Sequence, residues 1–255
     1  MSRVISLATL AFALSASTAL AADISVEAGE GANERLIEAL ITAQPGDTVK
    51  IGPGVFELTE GLSLDVDDVR VQGAGTGQTV LSFKGQTGSG EGLLVTSDRV
   101  VLEDFAVEDT KGDGVKSKGS DQITFRNLSV VWTGGPKETN GAYGVYPVSS
   151  KNVLIDDNLV SGPWGTFFQF GKKFAGTTYH ENVTIRRNRF VSGITAGGDA
   201  FTNPRTEVFT GMNNWPSANK FHWPITGPDV NYINGVAVTS HPKSGMIDSS
   251  TFTAT

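Results

Sequence analysis

The sequence predicts an all-β fold, a right-handed, single-stranded parallel β-helix, on three observations. Strand segments recur in register, a second ladder of small residues precedes short strands, and tight-turn residues abound without any cysteine. The first observation decides most. Arg99-Val100-Val101-Leu102-Glu103-Asp104, Gln122-Ile123-Thr124-Phe125-Arg126-Asn127, Asn152-Val153-Leu154-Ile155-Asp156-Asp157 and Asn182-Val183-Thr184-Ile185-Arg186-Arg187 all alternate apolar with polar residues. A period of two is the mark of a half-buried strand. Each segment is followed at a fixed offset by a further apolar residue: Val107, Val130, Val160 and Phe190. Asp68-Val69-Arg70-Val71 reads as an earlier copy, and Gly245-Met246-Ile247-Asp248 with Phe252 as a degraded later one.

The second ladder runs Gly92-Leu93-Leu94, Gly114-Val115-Lys116, Gly144-Val145-Tyr146, Gly165-Thr166-Phe167, Ala200-Phe201-Thr202 and Gly235-Val236-Ala237. Two or three strands per repeat, joined by turns, form one coil of a solenoid. A single coil cannot bury its inward row, whereas stacked coils bury a continuous one. An antiparallel sandwich also has many short strands, but it gives no reason for the recurring apolar pair. Glycine, at 31 of 255 residues, is well above the usual share of about 7% and follows no collagen period. With no cysteine, stability rests on burial and backbone hydrogen bonds.

In chain order, residues 1–21 read as a signal peptide. Arg3 supplies the positive end, Val4 to Leu14 the apolar stretch, and Ala19-Leu20-Ala21 the small-x-small cleavage pattern. The apolar stretch is too short for the roughly 20 residues of a spanning helix. The expected location is therefore the periplasm or the medium, with residues 22–255 as one β-helix domain. Glu34 to Ala43 reads as an amphipathic helix with Leu36, Ile37, Leu40 and Ile41 on one face, stopped by Pro45-Gly46-Asp47. It is expected to cap the open end of the first coil, whose unpaired edge would otherwise invite aggregation. Val49 and Ile51 open that coil, and Pro53-Gly54 turns into Val55-Phe56. Pro204 to Val230 reads as a long loop insertion, and the end at Thr255, directly behind a strand, is expected to reflect a truncated or divergent C-terminus.

Several stretches carry a family resemblance: Pro45-Gly46-Asp47-Thr48-Val49, Glu103 to Asp113, Trp132-Thr133-Gly134-Gly135-Pro136-Lys137 and Asn140 to Val148. Over residues 30–162 the chain resembles an exported bacterial family named for its parallel β-helix repeats. That family belongs to the pectin-lyase-like group, in which polysaccharide lyases, hydrolases and uronate epimerases are common. The resemblance weakens after Ser161, where relatives have a block like Ala-Gly-Ile-Tyr-Val-Gly-Gln and this chain has Gly165 to Gly171. It implies a carbohydrate-related role, while activity must be argued from the site itself.

The outward positions of the second ladder are the candidate site. Register would gather Asp113, Lys116, Tyr143, Tyr146, Trp164 and Phe167 within about 10 Å on three coils. Aromatic faces beside hydrogen-bonding groups suit sugar rings, and Lys111, Lys116 and Lys118 would hold the carboxylate of an acidic polysaccharide. A uronate lyase or epimerase would use Lys116 or Lys111 as the cation and Tyr143 and Tyr146 as base and acid. Tyr143-Gly144-Val145-Tyr146-Pro147-Val148 resembles the Tyr-Gly-Phe-Asp-Pro-His motif of alginate epimerases, with the acid and the imidazole replaced by Tyr146 and Val148. The same aromatics would equally serve as a stack binding coil to coil. A partner-binding role in an exported complex is the third reading, and it calls for an exposed apolar patch.

Other classes fall away. Net charge is −7, and −8 without Arg3, so nucleic acid is a poor partner. No cofactor is expected. Asp65, Asp67 and Asp68 have oxygen donors at the spacing calcium takes, but read better as a solvated turn. His180, His222 and His241 lack metal-ligand spacing. Gly73-Ala74-Gly75-Thr76-Gly77 precedes no helix, which argues against a phosphate loop. Asp156-Asp157-Asn158 and Asn188 are expected at turn positions that tolerate left-handed backbone. Expressed in a bacterium with its own N-terminus, the protein should be recovered outside the cytoplasm beginning at Ala22. Intact mass spectrometry of that fraction checks this, and a product that keeps residues 1–21 would refute it.

Overall fold

Alternating burial along each repeat closes the chain into coils. Val69 and Val71, Val100 and Leu102, Ile123 and Phe125, and Val153 and Ile155 are buried, while Arg70, Val101, Thr124 and Leu154 between them stay partly open. The computed structural model describes residues 21–87, 90–135, 137, 139–141, 143–163, 166–168, 183–191, 221–222, 231–233 and 236–238. Strand β1 (Asp23–Val26) and helix α1 (Ala32–Thr42) open it. Coils of three strands follow: β2 (Thr48–Ile51), β3 (Gly54–Glu57), β4 (Leu62–Leu64); β5 (Arg70–Gly73), β6 (Thr79–Ser82), β7 (Leu93–Val95). Then come β8 (Val101–Glu103), β9 (Ala106–Glu108), β10 (Val115–Lys118); β11 (Thr124–Arg126), β12 (Ser129–Val131), β13 (Tyr143–Val148). The next coil is β14 (Leu154–Asp156), β15 (Leu159–Ser161), β16 (Thr166–Phe168), and β17 (Val183–Arg186) with β18 (Arg189–Val191) begin another.

First strands pair only with first strands, second with second and third with third, so three sheets wrap one core. Thr48, Arg70, Val101, Thr124, Leu154 and Thr184 occupy one row of the first sheet. Val107, Val130, Val160 and Phe190 occupy one row of the second. Both rows are those read from the repeat, and the parallel pairing excludes the sandwich. This is a parallel β-helix whose inward rows form one core, with Phe56, Phe83, Phe105 and Phe125 among its largest fully buried side chains.

The ends depart from expectation. Strand β1 was not foreseen; it adds in parallel to β2, Asp23 opposite Thr48. The helix runs from Ala32 to Thr42 and buries Ala32, Leu36, Ala39 and Leu40 against β1, β2, β3 and β4. Ile41 is 67% exposed, because a residue directly after Leu40 is turned about 100° away from its face. Strand β19 (Phe221–His222) adds to β17, and β20 (Asn231–Ile233) to β18, both in parallel. The Gly235 copy does not join the third sheet: β21 (Val236–Val238) pairs antiparallel with β20 in the second. The expected signal peptide before Ala21, the Ala200 copy, the rest of the expected 204–230 insertion and the Gly245–Phe252 copy lie outside the described residues.

A two-residue turn joins the first and second strands of successive coils. Its first residue is left-handed: Asp104 (φ 65°), Asn127 (φ 45°), Asp157 (φ 57°) and Arg187 (φ 56°). Its second residue, Phe105, Leu128, Asn158 or Asn188, points into the core. Asn158 and Asn188 are thus not the left-handed residues; they form an internal ladder. Asn158 Oδ1 accepts from the Leu128 N–H at 2.9 Å, and its Nδ2 donates to the Phe125 carbonyl at 3.0 Å. Asn188 repeats the pattern one coil on, with the Asn158 N–H and the Ile155 carbonyl, both at 2.9 Å. The amides thus satisfy turn groups that the sheets leave unpaired and that water does not reach. Asn158→Ala should cost about 2–4 kcal/mol, since each stranded buried group costs roughly 1–3 kcal/mol. Asp157→Gly should stay within about 1 kcal/mol, because relief of left-handed strain offsets added chain entropy. Urea unfolding of the two variants tests this, and equal losses would refute the ladder's role.

Candidate functional site

The glycine before each third-sheet strand is set by packing. A Cβ on Gly92 would lie 2.5 Å from the Gly114 carbonyl oxygen, and one on Gly114 would lie 2.6 Å from that of Gly144 and collide with Val130. Coils therefore approach too closely here for any side chain, and the neighbouring residue must carry the chemistry. That residue is Glu91, then Asp113, then Tyr143, one coil apart. The Gly92 N–H donates to the Asp113 carbonyl and the Gly114 N–H to the Tyr143 carbonyl, each at 2.8 Å.

Two turns hold the column. Gln86, itself buried, donates from Nε2 to the Glu91 carbonyl at 3.3 Å, and its Oε1 accepts the Lys111 N–H at 2.8 Å. It thereby ties the turn bearing Glu91 to the turn bearing Asp113. Thr110 Oγ1 donates to the Gly112 carbonyl at 2.9 Å, and the buried Trp132 indole N–H donates to the Thr110 carbonyl at 2.7 Å.

Lys116 stands in β10 opposite Tyr146 of β13 and Leu94 of β7. Its Nζ is 2.5 Å from Glu91 Oε1 and 3.3 Å from Asp113 Oδ2, and sits 5.0 Å from the centre of the Tyr146 ring. The Tyr143 and Tyr146 rings are 4.7 Å apart at 56°, a tilted contact of the favoured kind. The side chains of Lys116, Glu91 and Asp113 are 20%, 29% and 13% exposed, open enough to be reached and closed enough to interact strongly. Of the expected residues, the structure thus brings together Asp113, Lys116, Tyr143 and Tyr146.

The remaining ones fall elsewhere. Lys118 is exposed two residues along β10, close enough for its charge to act on Glu91. Lys111 is exposed and enters the network through its backbone. Phe168, not Thr166, lies opposite Val145, so Phe167 falls level with Gly144 and not with Tyr146. The turn into β16 is much shorter than the turn into β13, and the chain joins the sheet at a different point of the ladder. Trp164 lies outside the described residues. Asp67 and Asp68 bind Arg99 at 3.0 and 2.6 Å, and Asp65 accepts the Thr96 hydroxyl at 2.9 Å. No cluster of three or more metal-ligand side chains occurs among the described residues. Glu91 and Gln86 were missed as site residues. Glu91 stood in the column with Asp113 and Tyr143, whereas nothing local marks Gln86.

Burial and charge pull the titrating groups apart. Burial raises the Glu91 carboxyl, but its bond to Lys116, a bond from its own backbone N–H and the charges of Lys116 and Lys118 together outweigh that and hold it below the ordinary range. Burial also raises Asp113, and there, with the charge of Glu91, it prevails over Lys116 and the Tyr143 N–H. Lys116 is lowered by burial and raised more by its two carboxylates, for a net increase. Burial pushes the Tyr146 phenol up, so it keeps its proton at neutral pH. The cluster combines an ionised carboxylate, a more proton-retentive one, an ammonium and phenols.

No family model matches the chain, and no curated protein matches it in sequence. Among solved structures, an alginate lyase from Paenibacillus superposes with a TM-score of 0.54 at 18% identity, over 66% of this chain and 58% of that one. The likeness is one of fold. A family 28 exopolygalacturonase from Yersinia enterocolitica gives 0.40 at 12% identity, over 70% and 50%. A second alginate lyase, of the PL6 family, gives 0.44 at 16%, over 67% and 24%. This chain spans little more than half the length of the first.

The sign of each shift sets its effect on stability. Glu91, held down in the fold, contributes stability that is lost as pH falls through its folded midpoint. Asp113, held up, makes the fold less stable as pH rises from its unfolded to its folded midpoint. Carboxyl titration by carbon-13 NMR should place Glu91 below and Asp113 above their ordinary values. Both should move up in Lys116→Met, and an Asp113 midpoint below the usual aspartate range would refute the assignment.

Proposed function

We propose that this protein binds a polysaccharide along the outer face of the third sheet. The observation that carries the reading is the cluster of Lys116, Tyr143 and Tyr146 with Glu91 and Asp113, gathered from three successive coils onto one partly open surface. A sugar ring offers a C–H face to an aromatic ring and hydroxyls to donors and acceptors, and this surface presents both. Coils about 4.8 Å apart make a continuous strip, which suits a chain better than a single small molecule. An alginate lyase of the same fold supports a polysaccharide as the ligand class.

Binding is favoured over lyase or epimerase chemistry on the state of Lys116. An enzyme acting on a uronate would need that ammonium for the substrate carboxylate, and two protein carboxylates already hold it. A partner-protein role has less support: the large exposed apolar side chains among the described residues are Ile41 and Val55. The test is a glycan array with the mature chain and a Lys116→Ala/Tyr146→Ala variant. At least one polysaccharide should bind and lose about tenfold or more in the variant, with the melting temperature shifted by only a few degrees. Equal binding by the two proteins would move the ligand off this face.

A further inference from the structure

The charges around Lys116 bear on which polysaccharide the site takes. We infer that the third-sheet face selects uncharged sugar residues and discriminates against uronates. This rests on the polysaccharide-binding reading above and goes one step further, to substrate class.

Lys116 Nζ is 2.5 Å from Glu91 Oε1 and 3.3 Å from Asp113 Oδ2, and the Tyr146 ring covers another side at 5.0 Å. A uronate carboxylate reaching this ammonium must displace Glu91 or Asp113, or crowd a third anion around one cation. A further cation, Lys118, already acts by its charge on Glu91. Glu91 and Asp113 thus offset the charges of Lys116 and Lys118.

For a neutral sugar the same groups are assets. Carboxylates only accept hydrogen bonds and have several lone pairs each, so Glu91 and Asp113 can take hydroxyl protons while still holding Lys116. Tyr146 offers its ring to the sugar's C–H face. Gln86 keeps the turns of Glu91 and Asp113 at a fixed spacing, so the acceptors need no rearrangement on binding.

Calorimetric titration of the mature chain at pH 7 and low salt would compare neutral hexasaccharides with uronic acid hexasaccharides of matched length. The expected result is at least tenfold tighter binding of a neutral probe. Glu91→Gln/Asp113→Asn, which keeps shape and removes both negative charges, should close or invert that ratio by tenfold or more. Glu91→Gln alone, at a partly exposed position, gives the same direction with a smaller change if the double variant does not fold. Tighter uronate binding by the wild type, lost in Lys116→Ala, would overturn this inference and leave polysaccharide binding standing. A neutral preference that neither charge-removing variant alters would overturn it as well. If neither probe class binds, the polysaccharide reading falls and this inference with it.

Discussion

Parallel hydrogen bonding from coil to coil holds equivalent residues about 4.8 Å apart, and each side-chain neighbourhood described above follows from that spacing. A residue repeated at the same point of each coil meets its own kind above and below. For apolar residues this builds the core without long-range design, as in the row of Val107, Val130 and Val160. The same spacing forces glycine where turns close on one another, at Gly92 and Gly114, because a single added carbon would meet the next carbonyl.

Polar residues obey a second rule that the spacing imposes. Neutral groups with both a donor and an acceptor stack on themselves, as Asn158 does on Asn188 at 2.9 Å. Like charges directly opposite repel, and along one row of the first sheet charges alternate instead, as Glu103, Arg126 and Asp156 do. Glu103, nearly buried on the first sheet, lies between Arg70 and Arg126. Asp156, buried two coils after Glu103, meets Arg187 at 2.5 Å. Leaving such a carboxylate buried without its partner would cost several kcal/mol, so each ladder dictates the sign of the next charge. In the Glu91–Lys116–Asp113 cluster two carboxylates stand at the same point of successive coils, and Lys116, bound to both, offsets their like charge. What differs is its openness and its flanking tyrosines, which turn a structural pairing into a surface for a ligand.

Fold and first ladder were legible because their signal is local. Alternation at 100, 123, 153 and 183 states which side chains face inward, and equal offsets state which coils stack. The site was legible in part. The gathering of Asp113, Lys116, Tyr143 and Tyr146 followed from the glycine ladder, whereas Glu91 was not read as part of the site. Phe167 did not follow, because register beyond β13 depends on the length of a turn and Gly165 is no guide to it. The Asn ladder was misread for a related reason. Asn suits a left-handed turn and an inward amide position alike, and only the fold shows that Asp157 takes the first role and Asn158 the second.

By itself the sequence determined the coil, its period and its inward rows, because burial of alternating side chains depends on residue type and spacing alone. Tertiary structure decided the state of Lys116. From the sequence it reads as a cation available to an acidic ligand. In the fold, Glu91 is brought from the preceding coil and Asp113 from the turn before β10, and both carboxylates occupy it. Tertiary structure also decided the placing of Gln86, which joins two turns through one buried amide. Both results depend on distances between residues of different turns, and a local pattern of residue types carries no record of such distances.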